Sequence, residues 1–157
     1  MLIRSHGIGD VSWAVHRQAT LYRDDYGWNA RFETLVMEIA AEFLKSHDPA
    51  REHCWVAERG GAILGSVFLV RVDDRVAKLR LLYVEPTARG LGLGRRLVGE
   101  CLSFAKAAGY RRMTLWTNDC LTEARQLYDS LGFELVSEHP HSDFGPAMVG
   151  EVLERDL

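Results

Sequence analysis

The chain contains no run of eighteen apolar residues, which argues against a membrane-spanning helix. Its opening, MLIRSHGIGD, lacks the basic segment leading into an apolar stretch that marks a secretory signal, so a cytoplasmic protein is expected. Cysteine is scarce as well. Cys54, Cys101 and Cys120 are an odd, scattered set with no C-x-x-C pair, which argues against a disulfide framework and a cysteine-rich zinc site; no metal is expected. Cys101 falls instead in the stripe Leu97, Val98, Cys101, Leu102, Ala105, the spacing of a buried helix face. Positive charge is also short. The formal net charge is −3, and Arg95-Arg96 and Arg111-Arg112 are local pairs rather than a stripe, so direct nucleic-acid binding is not expected. Repeats, low-complexity tracts and long linkers are absent. With 157 residues, 47% of them hydrophobic, the chain can bury one substantial core and not two, and a single domain over residues 1–157 is expected.

What is present is a succession of helical and strand-like periods. Leu2-Ile3-Arg4 reads as a short first strand. After Asp10, which can cap a helix, Val11, Ala14, Val15, Ala19 and Tyr22 recur at helical spacing, as do Phe32, Leu35, Val36, Ile39, Ala40, Phe43 and Leu44. From Cys54 the pattern changes: CWVAERGGAILGSVFLVRV is two strand-like runs around Gly60-Gly61, a hairpin signal. VAKLRLLYVEP follows as a third strand, with Lys78 and Arg80 on one face and Ala77, Leu79 and Leu81 on the other, until Leu81-Leu82-Tyr83-Val84 breaks the alternation. Such a break means a β-bulge or full burial. Pro86 ends the strand, and a helix runs to about Ala108, with Gly109 as its stop. RRMTLWTN is the next strand and LTEARQLYDSLG the next helix, and FELVSE and MVGEVLERDL supply two more strands around a loop HPHSDFGP. The order is that of a mixed α/β sheet rather than a regular βαβ array.

Between the third strand and its helix, VEPTARGLGLGRRLV sets Gly90, Gly92 and Gly94 within five residues. Glycine near a helix start costs roughly 0.5–1 kcal/mol relative to alanine, so three of them point to a tight turn or to a ligand that must approach bare peptide N–H groups. The first amides of a helix lack intrahelical partners and carry the positive end of its dipole, which makes them an anion site. The dinucleotide pattern G-x-G-x-x-G is excluded by Arg95 and Leu97, and no Gly-Lys-Ser/Thr of a P-loop occurs. What stands is Arg89-x-x-Gly92-x-Gly94 directly after Leu82-Tyr83-Val84.

With these residues the sequence resembles the GCN5-related N-acetyltransferase (GNAT) family, whose pyrophosphate loop reads R/Q-x-x-G-x-G/A. The likeness extends to Asn118 at a strand end and to Ala124, Tyr128, Gly132 and Phe133 after it, and covers about residues 76 to 138. LWTN, RGLGLGRRL and HGIGD further resemble the acetyltransferase half of bacterial fusions with MarR-type regulators. The resemblance implies a single GNAT-like α/β domain whose mixed, mostly antiparallel sheet of about six to seven strands splays at its two central strands and is flanked by about four helices. It implies acetyl-CoA as co-substrate, its phosphates on the backbone of Arg89, Gly90, Leu91, Gly92, Leu93, Gly94 and Arg95. Leu82, Tyr83 and Val84 would pair with the pantetheine arm, Asn118 beside it, and the bulge would put an amide near Val84 where the thioester oxygen gathers charge. Tyr128 would be the acid at the sulfur; its alternative is a core aromatic. Glu85, next to the loop, is the first candidate base, against a residue that merely ties the turn; Lys78 stands where some members carry a base glutamate, and Glu33 and His141 are further candidates. Tyr22, Asp24, Asp25, Tyr26 and Trp28 are either a cradle for a cationic amine or an aromatic turn with solvated aspartates. The acceptor would be a primary amine, of a small molecule or of a protein, and a homodimer stays open. A non-catalytic acyl-CoA sensor is the competing reading.

Overall fold

Each periodic stretch folds as its pattern dictates. In a computed structural model describing residues 1–157, the elements run β1 (Leu2–Ser5), α1 (Asp10–Tyr26), α2 (Ala30–Lys45), β2 (His53–Arg59), β3 (Ala62–Arg71), β4 (Val76–Val84), α3 (Leu93–Ala107), β5 (Arg112–Asn118), α4 (Thr122–Ser130), β6 (Glu134–His141) and β7 (Met148–Asp156). This is the order read from the sequence, with one turn of 3₁₀ helix added at Pro86–Ala88. The strands form one sheet in the order β1-β2-β3-β4-β5-β7-β6, antiparallel everywhere except between β4 and β5.

Helices cover both faces. Ala77 and Leu79 of β4 join Leu93, Leu97, Val98 and Cys101 of α3 and Tyr128 of α4 in the larger core. Phe68 of β3 meets Val11 and Ala14 of α1 and Phe43 of α2 on the opposite face. A satellite of Trp28, Phe32, Val36, Phe144 and Met148 closes the end of that face. No helix is long and apolar enough to cross a membrane.

Three local readings are corrected. Asp10 is not the cap of α1: Gly9 holds that position, and the Asp10 carboxylate instead accepts from the Gly7 N–H at 2.7 Å and from Arg4 at 2.8 Å. β6 runs on through His139, Pro140 and His141, residues whose turn-like composition assigns them to the following loop. β6 is an edge strand, where a proline's missing N–H leaves no ladder bond unmade. The third concerns Leu81, the one non-glycine residue with positive φ (53°). The β3–β4 register shifts around it, between Ser66 and Phe68, so the broken alternation is a bulge. The bulge turns Leu81 away from Ala77 and Leu79 and onto the face of α1 and α2. Such a conformation costs about 1–2 kcal/mol; the buried Gln18 of α1 helps to hold it by donating to the Leu81 carbonyl at 3.3 Å.

Burial raises the proton affinity of Asp10, but the hydrogen bonds from Arg4 and the Gly7 N–H outweigh it and leave the carboxyl below its ordinary range. A depressed folded-state pKa stabilises above the unfolded value, near 3.9, and the contribution fades as pH falls through the folded value. Asp10→Asn is therefore expected to lower stability by about 1 kcal/mol at pH 7, with the gap to wild type closing below about pH 4. Denaturant titrations at the two pH values measure it.

Candidate active site

The parallel ladder between β4 and β5 extends only from Val76↔Arg112 to Leu79↔Leu115. Beyond it the strands part, so the last residues of each, Leu82–Val84 and Trp116–Asn118, face one another without pairing. This is the expected splay, and the bulge at Leu81 sits where it begins. Two cavities open along the gap.

The first, about 360 Å³, is lined by the glycine loop and by α4. Gly90 and Gly92 lie at φ 79° and 74°, and a Cβ on either would meet nothing within 4 Å. Their requirement for glycine is thus one of backbone conformation, and the space beside them is open. Gly92 is also the N-cap of α3 and has no side chain to occupy the helix's first amides. Val84, Arg89, Gly94 and Arg95 line the same cavity, and Arg95 is tied to α4 by a 2.7 Å bond to Ser130. Leu93 also borders it and is buried, anchoring the start of α3, whereas Leu91 is exposed and does not line it. The cavity thus joins two arginines to a helix N-terminus, with Glu123 of α4 as the carboxylate on its wall, and the first two are groups that attract an anion.

The second cavity, about 220 Å³, lies toward α1 and α2. Leu82, Tyr22, Leu121 and Ala124 border both cavities and make them neighbours. Tyr128 lines the second cavity from α4, 5% exposed, with its ring packed edge-on against Phe133 at 5.8 Å. Burial pushes its phenol well above the ordinary value, so it keeps its proton at any working pH. Asn118 joins it there. Tyr83 borders neither cavity: its side chain packs against Trp13 of α1, 5.9 Å away, and only its backbone runs along the gap.

The candidate bases are not brought to this cavity. Both carboxylate oxygens of Glu85 accept from Arg17 of α1, at 2.6 and 2.9 Å, and Glu85 lines neither cavity. So placed, Glu85 ties the turn and pins the start of the glycine loop to α1, the alternative that the sequence left beside a base. Glu33 is exposed on α2 and lines neither cavity. Of the residues offered as an amine cradle, Tyr22, Tyr26 and Trp28 pack against one another as an aromatic turn, with Tyr22 and Trp28 on the wall of the second cavity, while Asp24 and Asp25 are solvent-exposed and line neither cavity.

His141 is no surface residue. Its Nε2 lies 2.8 Å from Asn118 Oδ1, and the backbone N–H of Asp143 reaches its Nδ1 at 3.2 Å. In the neutral ring a backbone N–H can only donate, so Nδ1 accepts, Nε2 carries the hydrogen, and the Asn118 atom facing it must be the oxygen. His141 thereby orients the Asn118 amide, and His141→Ala is expected to lower kcat of the acetyl transfer proposed below by about 3–30-fold without unfolding the chain. Rescue by His141→Gln, whose amide can also donate to Asn118, would separate orientation from base chemistry in steady-state kinetics. No local sequence pattern signals this bond.

A second support holds α4. Arg125 bridges Asp129 at 2.9 Å and the buried Glu151 of β7 at 2.7 Å. Arg125→Met would leave the Glu151 charge buried and unpaired, so a loss of about 2–4 kcal/mol is expected in denaturant unfolding. Arg125→Met/Glu151→Leu should recover most of it.

Comparison with known proteins agrees with this geometry. A sequence model described as the acetyltransferase (GNAT) family matches residues 15–133. An N-acetyltransferase of Schizosaccharomyces pombe is 30% identical over 122 residues, 77% of this chain and 75% of that protein. N-acetyltransferase 8B of Homo sapiens is 38% identical over 117 residues, 71% of this chain, which spans about half of the human protein (52%). Among solved structures, a Salmonella typhimurium protein with its cofactor acetyl-CoA superposes with a TM-score of 0.76 at 21% identity, covering 100% of this chain and 94% of that one. These matches support the family rather than the narrower likeness to regulator fusions.

Proposed function

The chain belongs to the acetyltransferase (GNAT) family, and from that premise we propose that it transfers an acetyl group from acetyl-CoA directly to a primary amine held in the same complex. The observation that carries the reading is the meeting of the two cavities at the gap in the sheet, one walled by Arg89, Arg95 and the N-terminus of α3 and the other holding a protonated, buried phenol. Acetyl-CoA supplies an activated acetyl thioester when bound. The amides from Arg89 to Arg95, with the two arginine side chains, would hold its pyrophosphate, and the unpaired backbone of Leu82–Val84 its extended arm. The open edge of β4 near Val84 offers N–H groups to the thioester oxygen.

The amine would enter through the second cavity as the free base and give up one proton as its N–C bond forms and the C–S bond breaks. Tyr128 donates to the departing sulfur. Its own affinity for the proton exceeds that of a thiolate, whose ordinary pKa is about 8.5, so the phenol keeps its proton and acts as a hydrogen-bond donor to the sulfur, which departs as the CoA thiolate while the amine's proton passes to solvent. No carboxylate lines the second cavity, which leaves that release to water.

Release of free thiol from acetyl-CoA across a panel of amines tests the reading, beside the change in melting temperature that acetyl-CoA alone produces. Stabilisation by acetyl-CoA with amine-dependent thiol release is the expected result. Stabilisation with no release for any amine would favour the sensor, and neither effect would remove the acyl-CoA reading.

A further inference from the structure

The second cavity holds two cations with nothing opposite them. Lys78 and Arg80, alternate residues of β4, both line it and both are half-buried. The other part-buried arginines all have partners. Arg4, Arg17 and Arg125 are paired with Asp10, Glu85 and Glu151, and Arg51 and Arg155 donate to backbone carbonyls. Arg80 has neither kind of partner, and its Nε is wholly shielded with no hydrogen bond. Burial, and for Lys78 also the neighbouring Arg80 charge, lowers the proton affinity of both groups, with no acidic residue offsetting it.

Removing a charge from water without a partner costs several kcal/mol. That cost is offset if the partner arrives with the ligand. The rest of the lining agrees: it contains no Asp or Glu, its walls are apolar and aromatic (Trp28, Phe32 and Trp116 among them), and its other polar groups are amides, hydroxyls and the buried phenol. A polyamine or a lysine side chain would enter this space against two positive charges, whereas an oxyanion would meet a guanidinium and an ammonium on one strand.

We propose that the acceptor is a small amine carrying its own oxyanion, an amino acid or a close analogue with an apolar side chain, and that Lys78 and Arg80 hold the oxyanion while the amine lies toward Tyr128. The proposal rests on the acetyltransferase reading and adds to it the class of acceptor. The cavity, at about 220 Å³, suits a small molecule rather than a folded chain.

The test compares each standard amino acid with its amide, its decarboxylated amine and its aminoalkylphosphonate, with spermidine as the cationic reference. A charge-assisted hydrogen bond is worth about 1.5–3 kcal/mol, so kcat/KM for thiol release should favour the best amino acid over its amide and amine by roughly 10–150-fold. The phosphonate arm tells whether the site accepts oxyanions generally or carboxylates alone. Lys78→Met and Arg80→Met keep the apolar stems and remove unpaired charges, so neither should lower the melting temperature, and each should collapse the acid-to-amide ratio to within about 3-fold.

Equal or better use of the amides, amines or spermidine would overturn the anion site and leave the transferase standing. So would variants that lower turnover of acid and amide alike. If no amine is acetylated although acetyl-CoA binds, the transferase reading fails, and the anion site is then read by binding: an amino acid or phosphonate should add to the melting temperature of the CoA complex in wild type and not in the Met variants. Absence of any such increment overturns it.

Discussion

Tyr128→Phe is expected to lower acetyl transfer by a factor of about 10²–10⁴, the usual consequence of losing a positioned proton donor, while folding and acetyl-CoA binding persist. The substitution keeps the ring that packs on Phe133 and removes only the hydroxyl. Stability should therefore change by less than about 1 kcal/mol, and the melting-temperature rise with acetyl-CoA should match wild type. The raised proton affinity of the phenol adds a second expectation. Tyr128 stays protonated across the working range, so the rate profile should carry no limb from it below about pH 10, and the rise with pH should follow the acceptor amine instead. Wild-type turnover in a folded Phe variant would reduce Tyr128 to a core aromatic, the role its burial alone would fit.

The sequence made the backbone of this site legible and left its side-chain partnerships hidden, for a physical reason. Helical spacing marks α1, α2 and α3 because one face of each is buried, and the glycines at 90 and 92 are visible because left-handed backbone leaves a compositional trace. The broken alternation at Leu81-Leu82 located the bulge, yet the direction in which Leu81 turns depends on a single positive φ. Arg17 and Glu85 lie 68 positions apart, and His141 and Asn118 23 apart. No local period encodes such pairs; they exist because α1 crosses the end of β4 and because His141, the last residue of β6, reaches past β7 to the end of β5. Lys78 and Arg80 could be put on one face of a strand from alternation alone. Only the three-dimensional arrangement reveals that the face is covered by helices and that no acid comes with them.

Gly92→Asp, set against Gly92→Asn, should produce the largest change in acetyl-CoA affinity and isolates the phosphate site. Both side chains tolerate left-handed backbone better than other residues do, and a Cβ at this position meets nothing within 4 Å, so both variants are expected to fold with a similar, small loss of stability. They differ in one negative charge. At a partly exposed loop, a unit charge about 5 Å from a doubly charged pyrophosphate opposes binding by roughly 2–3 kcal/mol, which is about 30–150-fold in affinity. The Asp variant also turns the favourable field of the α3 N-terminus onto its own carboxylate, which can then compete for the amides a phosphate would use. Titration calorimetry with CoA is expected to show a modest loss for Asn and near abolition for Asp at micromolar concentrations. Raising the salt concentration should narrow the gap between them, since the difference is one of exposed charge. If Asp and Asn bind CoA alike, the glycine loop is a tight turn and nothing more, and the pyrophosphate must be held elsewhere in the cavity by Arg89 and Arg95.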